Sequence, residues 1–168
     1  MRVLVTAASK HGATKEIAFW IAEAMRTAGV DATVREPEDV ETLEGIDAVV
    51  LGSGVYAGHW LKEATSFVER FGPSFATRDV WLFSSGPAGD PLKPESDPAD
   101  IPTMRAATHA HDHRMFAGRI ERSTMGFAER AVLTALRVHD GDWRPRPDIE
   151  AWAREIAAAL VARVPAQV

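Results

Sequence analysis

One stretch near the amino terminus, AASKHGAT, has the residue types and the spacing that could hold a phosphate group. It follows a short apolar run and precedes an amphipathic stretch. Ser9 and Thr14 supply hydroxyl donors, Lys10 and His11 can supply positive charge, and Gly12 permits a positive φ or a close backbone approach. A helix that begins near Thr14 would add free N–H groups and the positive end of its dipole. The pattern predicts an anion site, with an ordinary strand-to-helix turn capped by Thr14 as the alternative.

Composition and missing motifs exclude several classes of protein. The pattern G-x-x-x-x-G-K-[ST] is absent, which disfavours a P-loop nucleotidase, and so is the dinucleotide fingerprint G-x-G-x-x-G. The chain has no cysteine, so disulfides, thiolate catalysis and cysteine-ligated metal clusters are excluded. Because no thiol is present, any redox chemistry would come from a bound cofactor. A formal net charge of −5 gives no electrostatic support for nucleic-acid binding.

Alternating strands and helices must position these residues, and the 168 residues suit a single domain, 1–168. Apolar runs predict five strands, at about 2–6, 31–35, 48–52, 79–83 and 113–118. Helical periodicity predicts helices at about 14–28, 61–71, 123–138 and 148–163. Residues 86–103, rich in Pro, Gly and Asp, are predicted to form an exposed loop. The fold class is therefore α/β: a flavodoxin-like three-layer sandwich whose five-stranded parallel sheet has the order 2-1-3-4-5, with helices on both faces.

Three loops rich in Ser and Gly would meet at the carboxyl ends of the strands, where such sheets bind their ligands. The candidate cofactor-binding residues are Ser9, Lys10, His11, Gly12, Ala13 and Thr14 after the first strand, Ser53, Val55, Tyr56, Ala57, Gly58 and His59 after the third, and Ser84, Ser85, Gly86, Pro87, Ala88 and Gly89 after the fourth. A phosphate site, an aromatic loop and a Gly/Ser loop together indicate a flat phosphorylated ring. FMN fits this pattern, with its phosphate on the first loop and its isoalloxazine between the other two.

The aromatic residues near the second loop are interpreted one by one. Tyr56, the only tyrosine, lies beside glycines and is expected to face a ligand. Trp60 is expected to pack against the core, because large aromatics at helix starts commonly do so. His59 has two open interpretations, a hydrogen bond to the flavin or simple exposure.

Three histidines near residue 110 have the alternation that a metal site could use. His109, His111 and His113 would share one face of an extended segment, with Asp112 among them. No second cluster of ligands supports this interpretation, so a solvated segment that enters a strand is preferred and no metal is predicted.

Four stretches carry a family resemblance: ASKHGATKEIA, VVLGSGVYAGHW, FSSGPAGD and GDW…IEAWAREIA, in order along nearly the whole chain. Together they resemble the flavodoxin-domain family that includes menaquinone-dependent protoporphyrinogen oxidase. The resemblance implies FMN, with the phosphate held by Ser9, Lys10, Gly12 and Thr14 and the ring bordered by Tyr56, Gly58 and His59 on one side and Ser85, Gly86 and Gly89 on the other. Two positions depart from the pattern: Ala13 stands where relatives often carry a hydroxyl, and Arg144-Pro145-Arg146 replaces an Arg-Asp-aromatic run.

These observations predict an FMN-binding oxidoreductase or electron-transfer protein whose flavin performs the chemistry, with no catalytic side chain required. The partner would be a redox protein or a small electron donor or acceptor, such as a quinone or a porphyrinogen. A flavin-free interaction domain of the same fold is the alternative, and a quinone reductase with a nicotinamide donor is a third hypothesis. We expect a cytoplasmic protein without a membrane-spanning segment, and a homodimer is plausible. A phosphoacceptor receiver is disfavoured because Ala7-Ala8 and Gly52-Ser53 occupy the strand ends where it needs acidic residues.

Overall fold

The apolar runs of the sequence form the strands at the centre of the molecule. The computed structural model describes residues 1–89 and 96–163. Its strands are β1 (Arg2–Ala8), β2 (Asp31–Arg35), β3 (Ala48–Tyr56), β4 (His59–Trp60), β5 (Asp79–Ser85), β6 (Asp112–Phe116), β7 (Arg119–Ile120) and β8 (Gly141–Asp142). Its α-helices are α1 (Ala13–Thr27), α2 (Lys62–Phe71), α3 (Ile101–Thr108), α4 (Phe127–Ala135) and α5 (Arg146–Ala162).

The main sheet has the strand order β2-β1-β3-β5-β6, and all four pairings along it are parallel. Numbered among the parallel strands alone, this is 2-1-3-4-5, so the predicted flavodoxin-like topology is confirmed. The short β4 pairs antiparallel with the end of β3, and β7 pairs antiparallel with β8 in a separate ribbon.

Two apolar layers hold helices against the two faces of this sheet. On one face, α1 and α5 pack over Val3, Val5 and Val50; on the other, α2 and α3 pack over Leu4 and Leu51. The odd and even residues of β1 serve opposite layers because strand side chains alternate. Full burial of each such aliphatic side chain stabilises the fold by about 1.5–3 kcal/mol, so these two layers hold the sheet that carries the strand ends.

Helix α1 shows how the sequence fixes one of these elements. Ile17, Ile21 and Met25 recur every four residues and are all 0% exposed, so one stripe of the helix faces the sheet. The helix ends before Gly29, whose φ of +86° permits the backbone to leave the helix and enter β2. This geometry returns the chain to the edge of the sheet and directs the amino terminus of α1 toward the carboxyl end of β1.

Three strands are longer than predicted, because β1, β3 and β5 continue into the small polar residues that we interpreted as loops. Ala8 pairs with Ser53, and Gly54 pairs with Ser85, in the parallel ladder. Serine and glycine carry no apolar signal, yet their backbone hydrogen bonds extend the sheet by two to four residues. Assignment of Ser53 and Ser84 to loops was therefore wrong: both are strand residues.

The prediction of an exposed loop over 86–103 was wrong at its carboxyl end, where α3 begins at Ile101. Ile101 and Met104 are only 4% and 8% exposed and pack in the same layer as α2. Pro102 did not argue against this helix, because proline is tolerated in a first turn, where no helical N–H bond is needed. Residues 90–95 of the predicted loop lie outside the described residues.

The segment that follows β6 differs most from its prediction. The fifth strand covers Asp112–Phe116 rather than 113–118, and the helix predicted at 123–138 is shortened to α4, Phe127–Ala135. None of the residues of α4 is buried. We call residues 117–143, which contain β7, α4 and β8, the capping segment.

Among the described residues, no helix combines the length and the apolar character needed to cross a bilayer.

Candidate functional site

The amino terminus of α1 presents unpaired donors at the carboxyl end of β1. Gly12 is the residue before the helix, with a φ of +86°, and no side chain caps the first turn. The backbone N–H groups of that turn therefore have no partner within the helix. Thr14 is only 5% exposed, and its Oγ1, like Oγ of Ser9, makes no hydrogen bond to any described residue. These groups together can receive several oxygens of one anion.

A cavity of about 200 Å³ opens in front of these donors. It lies between the ends of β1, β3 and β5 on one side and the capping segment on the other. Its lining residues are Ser9, His11, Ala13, Thr14, Gly54, Val55, Tyr56, Ser85, Gly86, Gly118, Arg119, Ile120, Met125 and Leu133. The structure thus brings residues of all three predicted loops to one cavity.

At two glycines that line this cavity, the backbone lies close to neighbouring side chains. A Cβ on Gly54 would lie 3.2 Å from Oγ1 of Thr14 and 3.2 Å from the Tyr56 ring, and a Cβ on Gly86 would lie 3.0 Å from Cβ of Val55. Larger residues at either position would therefore fill space that borders the donors or would displace the second loop.

Tyr56 stands at the tip of a tight hairpin between β3 and β4. Tyr56 pairs with His59, and the two residues between them, Ala57 and Gly58, have φ angles of +50° and +80°. Two successive positive φ angles are typical of a type I′ turn, whose twist suits antiparallel strands. Tyr56 is 37% exposed as a residue and also borders two neighbouring cavities. Burial, with a contribution from the charge of Glu129, raises the pKa of Tyr56 to about 12, so its phenol stays protonated at neutral pH.

Lys10 and His11 contact a carboxylate of the capping segment. Nζ of Lys10 lies 2.6 Å and Nε2 of His11 lies 3.1 Å from the same oxygen of Glu129, while the backbone N–H of Gly126 donates to the other oxygen at 3.1 Å. The hydrogen bond from Lys10, followed by that from His11, lowers the pKa of Glu129 to about 2. Lys10 borders a neighbouring cavity of about 350 Å³ with three glutamates rather than the cavity that holds Thr14.

A second group of charges joins the capping segment to α1. Nη1 of Arg144 donates to Glu16 at 2.7 Å and to the carbonyl of Ala13 at 3.1 Å, and its guanidinium contacts Asp142 at 2.6 Å. Nη1 of Arg119 lies 3.1 Å from both carboxylate oxygens of Glu16. Burial works to raise the pKa of Glu16, but Arg144 and Arg119 outweigh it and hold that pKa below its usual value.

Ser53 and Ser84 direct their side chains into the scaffold. Oγ of Ser53 donates to the carbonyl of Gly54 and accepts the N–H of Leu61 at 2.9 Å. Oγ of Ser84 accepts the indole N–H of Trp60 at 2.7 Å and lies 2.8 Å from Nε2 of His113. Both serines are 0% exposed, so any contact that they make with a ligand would come from the backbone.

Trp60, which is 5% exposed, packs in the core, as predicted. Burial lowers the pKa of His113, which favours its neutral form beside Ser84.

The remaining predicted site residues lie at the margin of the cavity or beyond it. Ala57, Gly58 and His59 are exposed, and His59 contacts Asp100 through Nδ1 at 3.2 Å. The carbonyl of Pro87 accepts the N–H of Gly118 at 2.7 Å, which joins the third loop to the capping segment. Of the six residues predicted on the third loop, only Ser85 and Gly86 line this cavity; Ser84, Pro87, Ala88 and Gly89 do not.

The capping segment contributes five lining residues that sequence reasoning missed: Gly118, Arg119, Ile120, Met125 and Leu133. Their contact with the cavity depends on the return of the chain over the sheet after β6, which no local pattern encodes. One signal was available: Gly118 follows the fifth strand at the sheet edge where the other loops meet, and this position favours a small residue.

The histidines near residue 110 have separate partners. His111 contacts Asp79 at 2.6 Å, His113 contacts Ser84, and His109 is exposed. Within residues 1–89 and 96–163, no group of three or more His, Asp or Glu side chains is arranged to hold a metal ion.

Comparisons with known proteins agree with this fold. The model of the flavodoxin domain family matches residues 4–143. A flavodoxin from the domain Archaea is 16% identical, with 96% of this chain and 99% of that chain covered and a TM-score of 0.66. A flavodoxin mutant from Pseudomonas aeruginosa is 15% identical, with 96% and 99% covered and a TM-score of 0.65. The rubredoxin oxygen:oxidoreductase of Desulfovibrio gigas is 14% identical, with 98% of this chain but 37% of that chain covered and a TM-score of 0.67.

No curated protein matches the chain. Likeness to solved structures at these identities establishes the fold, whereas the family match extends over most of the sequence. The comparisons support the wider family and not the narrower resemblance to menaquinone-dependent protoporphyrinogen oxidase. The chain belongs to the flavodoxin domain family.

Proposed function

We propose that this protein binds FMN in the cavity at the strand ends and transfers electrons, either as an oxidoreductase or as an electron carrier. The observation that carries the proposal is the pair of hydroxyls at the amino terminus of α1, on Ser9 and on Thr14, which line one cavity and have no hydrogen-bond partner within residues 1–89 and 96–163. Both residues line the cavity, so a ligand that displaces water from it must supply these hydroxyls with a new partner, and a phosphate oxygen would do so. Membership of a family whose members typically bind FMN supports the same assignment.

The residues around the cavity have distinct roles in this proposal. Ser9, Thr14 and the backbone of the first turn of α1 bind the phosphate. Val55 and Tyr56 border the isoalloxazine on one side, and Ser85 and Gly86 border it on the other. FMN, when bound, supplies one- and two-electron chemistry. The neutral phenol of Tyr56 places no negative charge beside the ring, and the capping segment excludes water from one side of the cavity.

An apolar cleft next to Tyr56 favours a small ring compound as the electron partner. The cleft has a volume of about 320 Å³ and is lined by Tyr56, Met125, Ala128, Glu129, Val132 and Leu133. Because Glu129 is the one charged residue among the described residues that line it, we propose a quinone-type acceptor, in keeping with the resemblance noted above. Reoxidation of the reduced protein by a soluble quinone tests this, with protoporphyrinogen as a second substrate to be assayed.

Flavin titration of the purified protein tests the proposal directly. Absorbance and fluorescence report the Kd of FMN and of riboflavin, which lacks the phosphate, for the wild type and for Thr14→Val. The variant retains the side-chain shape but removes a hydroxyl–phosphate hydrogen bond, so we expect the Kd of FMN to rise about tenfold or more. The Kd of riboflavin should stay within about twofold of wild type.

Thr27→Val is the matched control, because Thr27 lies at the opposite end of the same helix and its hydroxyl bonds to the carbonyl of Glu23. Its FMN affinity should equal that of the wild type. Absence of flavin uptake by the wild type would reject the proposal and leave the flavin-free interaction domain as the better hypothesis. Equal weakening of FMN and riboflavin in Thr14→Val would place the phosphate elsewhere.

A further inference from the structure

We propose that Arg119, from the capping segment, is the cation that binds the flavin phosphate and that it selects phosphorylated over unphosphorylated flavin. This inference rests on the proposed function and names a residue that the sequence did not indicate. Arg119 lines the same cavity as Ser9 and Thr14, and its side chain is 23% exposed. A guanidinium at this place can donate to two oxygens of one phosphate, as arginine does in bidentate pairs.

The position of Arg119 relative to α1 supports this role. Its Nη1 lies 3.1 Å from the carboxylate oxygens of Glu16, which is four residues after Gly12 in the first turns of the helix. Its Nε approaches Glu121 only at 3.8 Å, and Nη2 has no hydrogen-bond acceptor among residues 1–89 and 96–163. The guanidinium therefore stands beside the helix terminus with donors still available.

Glu16 does not depend on Arg119 for its neutralisation. Arg144, whose side chain is only 3% exposed, already donates to Glu16 at 2.7 Å and to the carbonyl of Ala13. Two guanidinium groups thus share one carboxylate of α1. The second of them, Arg119, can therefore turn toward an incoming dianion while Arg144 keeps Glu16 paired.

Lys10, the cation expected from the sequence, is less suited to this role. Its side chain is 48% exposed, is paired with Glu129, and borders the neighbouring cavity with Glu36, Glu38 and Glu63. A phosphate near Lys10 would meet the negative field of those glutamates. Arg119 instead lines the cavity that holds Thr14, and none of those glutamates lines that cavity.

The test compares the Kd of FMN and riboflavin in variants that lose one positive charge. Arg119→Gln should weaken FMN about tenfold or more and leave riboflavin within about twofold, because riboflavin has no phosphate for Arg119 to contact and Arg144 still pairs with Glu16. Arg119→Lys should recover part of the affinity, since the charge returns without the planar pair of donors. Arg130→Gln, an exposed arginine of α4 outside the cavity lining, is the control for net charge and should match the wild type.

Glu16→Gln separates binding from a merely structural contact between the capping segment and α1. If Arg119 binds the phosphate, loss of the Glu16 charge frees the guanidinium and removes a nearby negative charge, so FMN should bind about twofold to fivefold more tightly. If Arg119 acts only by attaching the capping segment, Glu16→Gln should weaken FMN and riboflavin to the same extent as Arg119→Gln. Thermal unfolding of each variant shows that the fold is retained.

The outcomes distinguish this inference from the function on which it rests. A wild type that binds no flavin overturns both. A wild type that binds FMN, with Arg119→Gln equal to it or with riboflavin weakened as much as FMN, overturns the role of Arg119 alone. Selective loss of FMN affinity, together with tighter binding in Glu16→Gln, establishes it.

Discussion

At the scale of single residues, Thr6 in β1 has a structural effect that is separate from binding. Thr6 is 0% exposed, and its Oγ1 has no hydrogen-bond partner in the part of the chain that the structure describes. A buried hydroxyl that loses water without gaining a partner destabilises the folded state. We therefore expect Thr6→Val, which keeps the side-chain shape, to raise the free energy of unfolding by about 1 kcal/mol.

Urea unfolding followed by circular dichroism measures this change. Thr33→Val is the control, because Thr33 is exposed on the neighbouring strand β2 and its hydroxyl keeps its water. Its stability should be close to that of the wild type. A Thr6→Val variant that is less stable than the wild type would contradict the interpretation.

Residue types alone predicted part of the cavity. Ser9, Thr14 and Tyr56 were identifiable because hydroxyls, glycines and one tyrosine stand in short stretches after apolar strands. Arg119 was not, because its role depends on a contact with Glu16 across more than a hundred residues of chain. The packing of Phe83 against Gly52, where an added Cβ would lie 2.1 Å from the ring, depends in the same way on strand register.

At the scale of elements, the hairpin after β3 sets the place of Tyr56. Ala57 adopts a φ of +50°, a region that disfavours residues with a Cβ other than asparagine and aspartate. Asn-Gly is the favoured pair in a type I′ turn, so Ala57→Asn should raise the free energy of unfolding by about 0.5–1 kcal/mol. Ala57→Val should lower it, because a β-branched residue fits this conformation worst.

Urea unfolding measures the free energy of unfolding of both variants. Because the two expected effects have opposite signs at the same exposed position, a general effect of substitution there could not produce both. Stabilities that fall equally in both variants would show that the positive φ at Ala57 causes no strain. Flavin titration of Ala57→Asn serves as the companion measurement, since a more stable turn that keeps Tyr56 in place should leave the FMN affinity unchanged.

Elements whose sequences carry a strong apolar pattern were predicted well. Elements whose structure depends on contacts with distant residues were not. The cores of β1, β3 and β5 and the periodic helices α1 and α5 bury continuous stripes, which the sequence displays directly. Strand ends made of Ser and Gly, and α3 with its early proline, gain their structure from pairing or packing with distant partners. Their local composition is that of a loop, so local reasoning assigned them to loops.

At the scale of the whole molecule, the capping segment covers one side of the cavity with few buried contacts. None of the residues of α4 is buried, and Phe127 is 85% exposed. Glu129 joins this helix to the first loop through Lys10 and His11. Stability of α4 within the capping segment should therefore depend on this carboxylate more than on apolar packing, and it should vary with pH.

The sign of that pH dependence follows from the pKa of Glu129, which the contacts lower to about 2, against about 4.3 for a free glutamate. A carboxyl with a depressed pKa stabilises the folded arrangement above the higher of these values, and its contribution is lost as the pH falls toward the lower one. Protection of the α4 amides against hydrogen exchange should accordingly be largest near neutral pH and should decline below about pH 4. Because the pair is partly exposed, the expected loss of protection is modest, about threefold to fivefold.

Glu129→Gln should show this lower protection already at pH 6 and should change little between pH 6 and pH 3, once intrinsic exchange rates are divided out. Glu121→Gln is the matched control, since it removes a carboxylate from the same segment without touching Lys10 or His11. Amides of α1 report the global stability and should be unaffected in both variants, because the sheet and its two apolar layers do not depend on the capping segment. Equal protection of α4 in the wild type and Glu129→Gln at pH 6 would mean that apolar contacts of Met125 and Leu133 hold this segment instead.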